Sequence, residues 1–288
     1  MKKVLLTLLF PPLFLACAGC ASVALRLNPS LLPSMTAALF EECDPALAKE
    51  AIPGNLKMLE GLLKADPGNP KILASLGMGF GGYAFLFLET DAPERASRLY
   101  LRSRRYGAHA LGAAGETLRD PEARGSAVQK AVQGLGRPEL EALFWLSFSW
   151  NAWIRLNLDK PQAIAQMASA EACLQKVLEI DETYLHGAPH ILRGALLAAK
   201  PPLLGGNPAE ARRHFQRAVE LSRGKFFLAQ YYYASYYAVA VQDRDLFTRL
   251  LKEILNGNPQ DLEGACLLNT VVQAKARQLA EQVDELFF

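Results

Sequence analysis

From about residue 30 onward, apolar residues recur at three- and four-residue spacing, and the alternation of a half-buried strand is almost absent. That periodicity predicts amphipathic helices packed against one another. Helix starts are marked in the same region. Asp91-Ala-Pro-Glu94 and Asn207-Pro-Ala-Glu210 each offer a capping side chain, a proline in the first turn and a glutamate three residues on. Pro and Gly collect between the periodic stretches, at 66–70, 200–206 and 256–259, and there predict turns.

The helices repeat. Ala211-x3-Phe215-x2-Ala218 places a small residue, an aromatic four later and another small one three later, and Ala96-x3-Tyr100-x2-Ser103 follows the same frame. Leu59-x2-Leu62-x4-Pro67, Leu174-x2-Val177 and Leu251-x2-Ile254-x4-Pro259 fit its second half. The anchors Val177, Ala218 and Ile254 lie 41 and 36 residues apart, close to the ~34-residue period of a tetratricopeptide unit. The fold class expected is therefore all-α: a tetratricopeptide-like α-solenoid forming one compact domain, with a generic helical bundle as the alternative. Leu118 to Leu135 has no clear counterpart in the repeat. Stacked helix pairs leave a concave face that such proteins use for binding.

The first residues read differently. Met1-Lys2-Lys3 is a short positive head, Val4 to Leu15 is apolar, and Ala18-Gly19 precede Cys20. This is the layout of a secretory signal, too short to span a bilayer, which takes ~20 apolar residues. It resembles a bacterial lipobox, with Cys20 as the lipidated first residue of the mature protein; Cys17, with Phe14 where leucine is usual, fits less well. The organisation expected is a lipoprotein signal peptide over 1–19, a lipidated N-terminus and first helix over 20–50, and the repeat domain over 51–288. Acyl chains would hold this domain on a membrane surface.

Composition narrows the partners. The chain is 51% hydrophobic and 21% charged with a net charge of +2, which excludes disorder and offers no field for nucleic acid. Lys2 and Lys3 are the only charged residues of 1–19, so the remainder is balanced. Beyond the signal the cysteines are Cys43, Cys173 and Cys266, with no C-x-x-C pair. Cys173 and Cys266 fall in apolar helical patterns and are expected as small core residues, while one disulfide stays open in an oxidising compartment.

No phosphate loop, nucleophile elbow or H-E-x-x-H pair occurs, and no general acid–base pair stands out, so the chain is expected not to be an enzyme and to carry no cofactor. His186 and His190 have metal-like spacing, but Gly187 and Pro189 between them and the lack of a third ligand leave no metal site expected. Gly77-Met-Gly79-Phe-Gly-Gly82 follows a helical pattern and is expected to serve close helix packing.

Two aromatic stretches remain. Phe144-Trp-Leu-Ser-Phe-Ser-Trp-Asn-Ala-Trp-Ile154 holds all three tryptophans, and Tyr231-Tyr-Tyr-Ala-Ser-Tyr-Tyr237 holds five tyrosines in seven residues. On a helix the first surrounds the axis, so one face packs in the core or lines a cavity; the second suits a semi-polar groove or plain packing. Arg95, Arg98, Arg102 and Arg105 recur at helical spacing as a basic face, either solvated surface or a dock for an acidic partner.

The segments "LFWLSFSWNAWIRLN", "EIDETYLHGAPHILRGALLAAKPPLLGGNPAEARRHFQRAVELSRGKFFLAQYYYASYYAV" and "LLNTVVQAKARQLAEQVDELFF" resemble the TatT family, tetratricopeptide lipoproteins associated with tripartite ATP-independent periplasmic (TRAP) transporters. Gly187-Ala-Pro-His190, the Pro201/Gly205-Gly206 loop and Leu268-Asn269 are the most specific parts. The resemblance implies an all-helical homotrimer with a hydrophobic tunnel or cleft in each protomer, paired with the periplasmic substrate-binding protein of the transporter. It implies that Phe144, Trp145, Phe148, Trp150 and Tyr236 lie near that cavity, with a hydrophobic or amphipathic ligand. The implied place is the cell envelope, lipid-anchored and periplasm-facing; Ser22 after Cys20 is compatible with outer-membrane sorting. The rival reading is a scaffold lipoprotein for envelope assembly with no small-molecule ligand.

Overall fold

The computed structural model describes residues 30–120 and 122–287; the signal segment and Cys20 lie outside them. Every regular element among the described residues is a helix. The chain runs α1 (Leu31–Glu41), α2 (Pro45–Ala65), α3 (Pro70–Phe87), α4 (Pro93–Ala110), the short α5 (Gly112–Arg119) and α6 (Ser126–Gln133), then α7 (Leu140–Arg155) and α8 (Pro161–Ile164). It continues with α9 (Met167–Ile180), α10 (Tyr184–Ala199), α11 (Pro208–Leu221), α12 (Phe227–Tyr232) with a π-helical extension Tyr233–Ala238, α13 (Arg244–Asn256), α14 (Cys266–Glu281) and α15 (Val283–Leu286).

The repeat anchors do what their sizes predict. Ala96, Tyr100 and Ser103 are fully buried, as are Ala211, Phe215 and Ala218. Small residues let α4 approach α3 and α11 approach α10, and the aromatic fills the space between. Ser103 Oγ donates to the Gly77 carbonyl at 2.6 Å and lies 2.6 Å from Ser149 Oγ, so α3, α4 and α7 meet at one polar knot. Leu174, Val177, Leu251 and Ile254 carry the same role in the later pairs. The segment without a counterpart, 118–135, holds the end of α5 and all of α6, a helix of eight residues.

Caps follow the sequence in part. Asn207 caps α11, its side chain accepting from the Glu210 amide at 3.1 Å. The start of α4 is different: the cap falls on Ala92, without a side-chain hydrogen bond, and Asp91 stays outside.

The solenoid returns on itself. α14 packs on α12 and α13 and also on α1 and α2, so the last unit meets the first. Asn269, fully buried, ties α14 to the start of α12 and to the turn after α13: its Oδ1 accepts from the Phe227 amide at 3.0 Å and its Nδ2 donates to the Lys225 and Pro259 carbonyls at 2.9 and 3.2 Å. A disulfide joins Cys43, between α1 and α2, to Cys266 at the start of α14. Cys266 is therefore a cross-link rather than a lone core residue, because closure brings two distant cysteines to a Cα separation of 5.2 Å. Cys173 is buried and free.

Candidate functional site

Closure leaves hollows along the inner side of the helices. The outer chamber holds about 810 Å³ of space, part of it open to solvent. Its walls are Phe148, Asn151, Ala152 and Arg155 of α7, Leu192, Ala195 and Leu196 of α10, and Tyr232 and Tyr236. The inner chamber, about 730 Å³, is lined by Gly82 and Phe85 of α3, Phe144, Trp145 and Phe148 of α7, Leu185, His186 and Leu192 of α10, and Phe40 of α1. Phe85, Phe148 and Leu192 belong to both walls. A third hollow of about 560 Å³ under α1 and α2 shares Phe40, Gly82 and Leu86 with the inner chamber. The three abut in a row.

Local sequence builds these walls in three ways. In α7 the rings at 144, 145 and 148 share a face, with Phe144–Trp145 and Trp145–Phe148 edge-to-face at 5.2 and 5.4 Å. Phe85 meets Phe148 edge-on at 5.8 Å, and such pairs each add about 0.5–1.5 kcal/mol beyond burial. Trp150 stands apart from both chambers. It is 1% exposed, its Nε1 donates to Gln166 Oε1 at 2.9 Å, and the Arg104 guanidinium lies 3.7 Å over its ring.

In the tyrosine segment the π-helical turn widens the backbone, a departure frequent at functional sites. Tyr232 and Tyr236 stack at 5.0 Å on the outer chamber, whereas Tyr233 stacks on Phe215 of α11 at 5.2 Å. One run of tyrosines thus serves both wall and core. In α10 the first turn is left-handed, with φ of +44°, +58° and +85° at Leu185, His186 and Gly187. Glycine suits that conformation at 187, while leucine and histidine adopt it under strain, and both line the inner chamber.

The chambers differ in charge. Around the outer one Arg155 pairs with Glu89, whose other oxygen accepts from the Tyr100 hydroxyl at 2.7 Å. Lys200 pairs with Glu171, which also accepts from Arg193 at 3.3 Å. Burial, with Tyr236 beside it, lifts the Tyr232 hydroxyl far above its ordinary pKa, so it stays a neutral donor. Among the described residues, the one titratable side chain in the wall of the inner chamber is His186, which burial holds below the usual histidine value. Lys275 approaches from α14, its ammonium 5.5 Å from the Phe85 ring, and burial, reinforced by Arg155, lowers its pKa.

Other sequence candidates are dispersed. His186 and His190 do not converge; His190 Nδ1 instead lies 2.7 Å from His214 Nδ1 and its Nε2 3.1 Å from Glu182. Among the described residues no group of three or more His, Cys, Asp or Glu is placed to hold a metal. Of the basic face, Arg95, Arg98 and Arg105 are exposed, whereas Arg102 is tied to Glu60 and lies 4.3 Å over the Phe80 ring. Phe85, Glu89, Arg155, Glu171 and Lys200 were not singled out by the sequence, because they sit on or beside four different helices.

The sequence profile of TAtT, described as TRAP transporter T-component, matches residues 41–287, a span that includes every helix from α2 to α14. The chain belongs to the TRAP transporter T-component family. It is also similar to an uncharacterized protein of Treponema pallidum (strain Nichols), 24% identical over 308 residues that cover 95% of this chain and 94% of that protein. Family membership places the row of hollows in an accessory component of TRAP transport. No helix among the described residues is long and apolar enough to cross a membrane.

Proposed function

We propose that the chain is a lipid-anchored, periplasm-facing accessory subunit of a TRAP uptake system. It binds a hydrophobic or amphipathic ligand in the row of chambers and pairs with the periplasmic substrate-binding subunit. Family membership supports the transport setting. The observation that carries the ligand is the shared wall: two aromatic chambers meeting at Phe85, Phe148 and Leu192, large enough together for an extended apolar molecule. Phe144, Trp145, Phe148 and Tyr236 are the ligand contacts in this reading, and Trp150 supports α7 from behind. Cys20 carries the lipid, the protomers associate as trimers, and exposed Arg95, Arg98 and Arg105 face an acidic patch of the partner.

Native mass spectrometry of the protein purified from its envelope, with bound small molecules extracted and identified, tests this. A trimer with an apolar passenger is the expected result. A bare particle that refuses lipids and hydrophobic acids, and whose tryptophan fluorescence does not change with them, would leave only a scaffold role.

A further inference from the structure

The wall of the outer chamber carries two acids and two bases, Glu89 with Arg155 and Glu171 with Lys200, and Arg193 from behind the wall also holds Glu171. That balance constrains what can settle there. A purely anionic head that took Arg155 would strand Glu89, whose side chain is only 12% exposed, against aromatic and aliphatic walls. A purely cationic head that took Glu171 would strand Lys200, the more shielded of the two bases, in the same way. Leaving one member of a shielded ion pair without its partner is costly. A head bearing both signs can cross-pair, its anionic oxygens on the basic pair and its cation on the two carboxylates, so that no charge is left alone.

We infer that the ligand is a single-chain amphiphile with a zwitterionic head, held at the two ion pairs while its tail passes Phe148 and Leu192 into the inner chamber. This rests on the chambers being a ligand site, as proposed above, and adds the class of head group. The tail's route is apolar from Leu192 and Ala195 inward, with His186 as the one titratable group among the described residues of the inner wall. The dipolar head could be a phosphocholine or phosphoethanolamine group of a lysophospholipid, or the betaine of another amphiphile. The shared chemistry is an ammonium a few bonds from an anionic oxygen group.

The test uses the full chain held in amphipol and four probes with one twelve-carbon tail, each below its micellar concentration. These are dodecylphosphocholine, dodecanoate, dodecyltrimethylammonium and dodecyl maltoside, with binding read by the fluorescence of Trp145 beside the inner chamber. Dodecylphosphocholine is expected to bind at least ten-fold tighter than the other three. In Glu171→Gln, a rim change that leaves Glu89 and its hydrogen bond to Tyr100 intact, that preference should fall to about three-fold or less and dodecanoate should gain. A betaine-headed probe then separates recognition of phosphate from recognition of any zwitterion. Dodecanoate or dodecyltrimethylammonium binding as tightly as dodecylphosphocholine overturns the inference while leaving the chambers as a ligand site. So does an undiminished preference in both Glu171→Gln and Glu89→Gln. Failure of all four probes to bind takes down the site and the inference together.

Discussion

The outer and inner chambers share Phe148 but have opposite characters. The outer one is rimmed by two ion pairs and two tyrosine hydroxyls; the inner one is rings and aliphatics around a single half-buried histidine. The outer walls come from α7, α9, α10 and the tyrosine segment, with Phe85 and Glu89 from the end of α3 and just beyond it. The inner wall also draws on α1 and on α14, elements from opposite ends of the chain. Of the two, the inner chamber is the one whose wall depends on the elements that close the solenoid. Closing the stack adds Phe40 and Leu268 to an apolar wall.

The cross-link is the strongest place to break that difference. Chain entropy over its 223-residue separation makes the Cys43–Cys266 bond worth about 5 kcal/mol. Reduction, or Cys43→Ser, should move the guanidinium midpoint down by an amount Cys173→Ser does not reproduce. Apolar dye binding at the inner chamber should rise before the outer chamber is lost; identical behaviour of both would remove the distinction. Next is the shared ring. Phe148→Ala should cost about 3–5 kcal/mol as a large-to-small core change, and by merging the chambers should shift ligand preference toward longer or bulkier tails. Unchanged chain-length selectivity would mean that Phe148 is packing alone.

Gly82→Leu sharpens the comparison without damaging the fold. A Cβ at Gly82 meets nothing within 4 Å, and the side chain would enter the junction of the inner chamber and the hollow beneath α1. Replacing a helical glycine gains up to about 1 kcal/mol. The melting temperature should hold or rise, while binding of long-tailed amphiphiles falls ten-fold or more and short-tailed ones still fill the outer chamber.

Acid supplies a smaller effect. Burial, then the nearby His190, holds His214 down to about 4, and burial also lowers His190. Arg193 and Arg213 add to the depression of His214 and Arg217 to that of His190, while Glu210 and Glu182 oppose it. The unfolded chain therefore takes up protons first, so stability falls as pH drops from about 6.5 toward 4. His214→Gln should flatten that limb in thermal scans at closely spaced pH values. Smallest of all, Arg98→Ser on the exposed face should change stability by less than about 0.5 kcal/mol. Under the proposed function, any effect there falls on the rate of association with the substrate-binding subunit.

The fold was legible because its signals are local. Ala96, Tyr100 and Ser103 or Ala211, Phe215 and Ala218 announce a close helix pair within eight residues, and their complete burial follows from that spacing. The site was legible only in part. Rings stand on several sides of α7, so its pattern could not say which one faces a hollow; Trp150, five residues and about 140° around the helix from Trp145, went to the other side. The charges of the outer chamber stand at 89, 155, 171 and 200, an order with no period, and they meet only when four helices stack. An odd number of cysteines beyond the signal left the pairing open until ring closure chose Cys43 and Cys266.

That ring closure also bears on how the protein is made. Cys43 emerges early in synthesis and must wait while 223 residues follow before its partner is within reach. Until then the apolar faces of the early helices lack their final cover, and the intermediate is a substrate for chaperones and proteases. Sealing the bond thus acts as proof of completion: a chain truncated before Cys266 has no way to close, and would be sorted from finished molecules by its exposed interior.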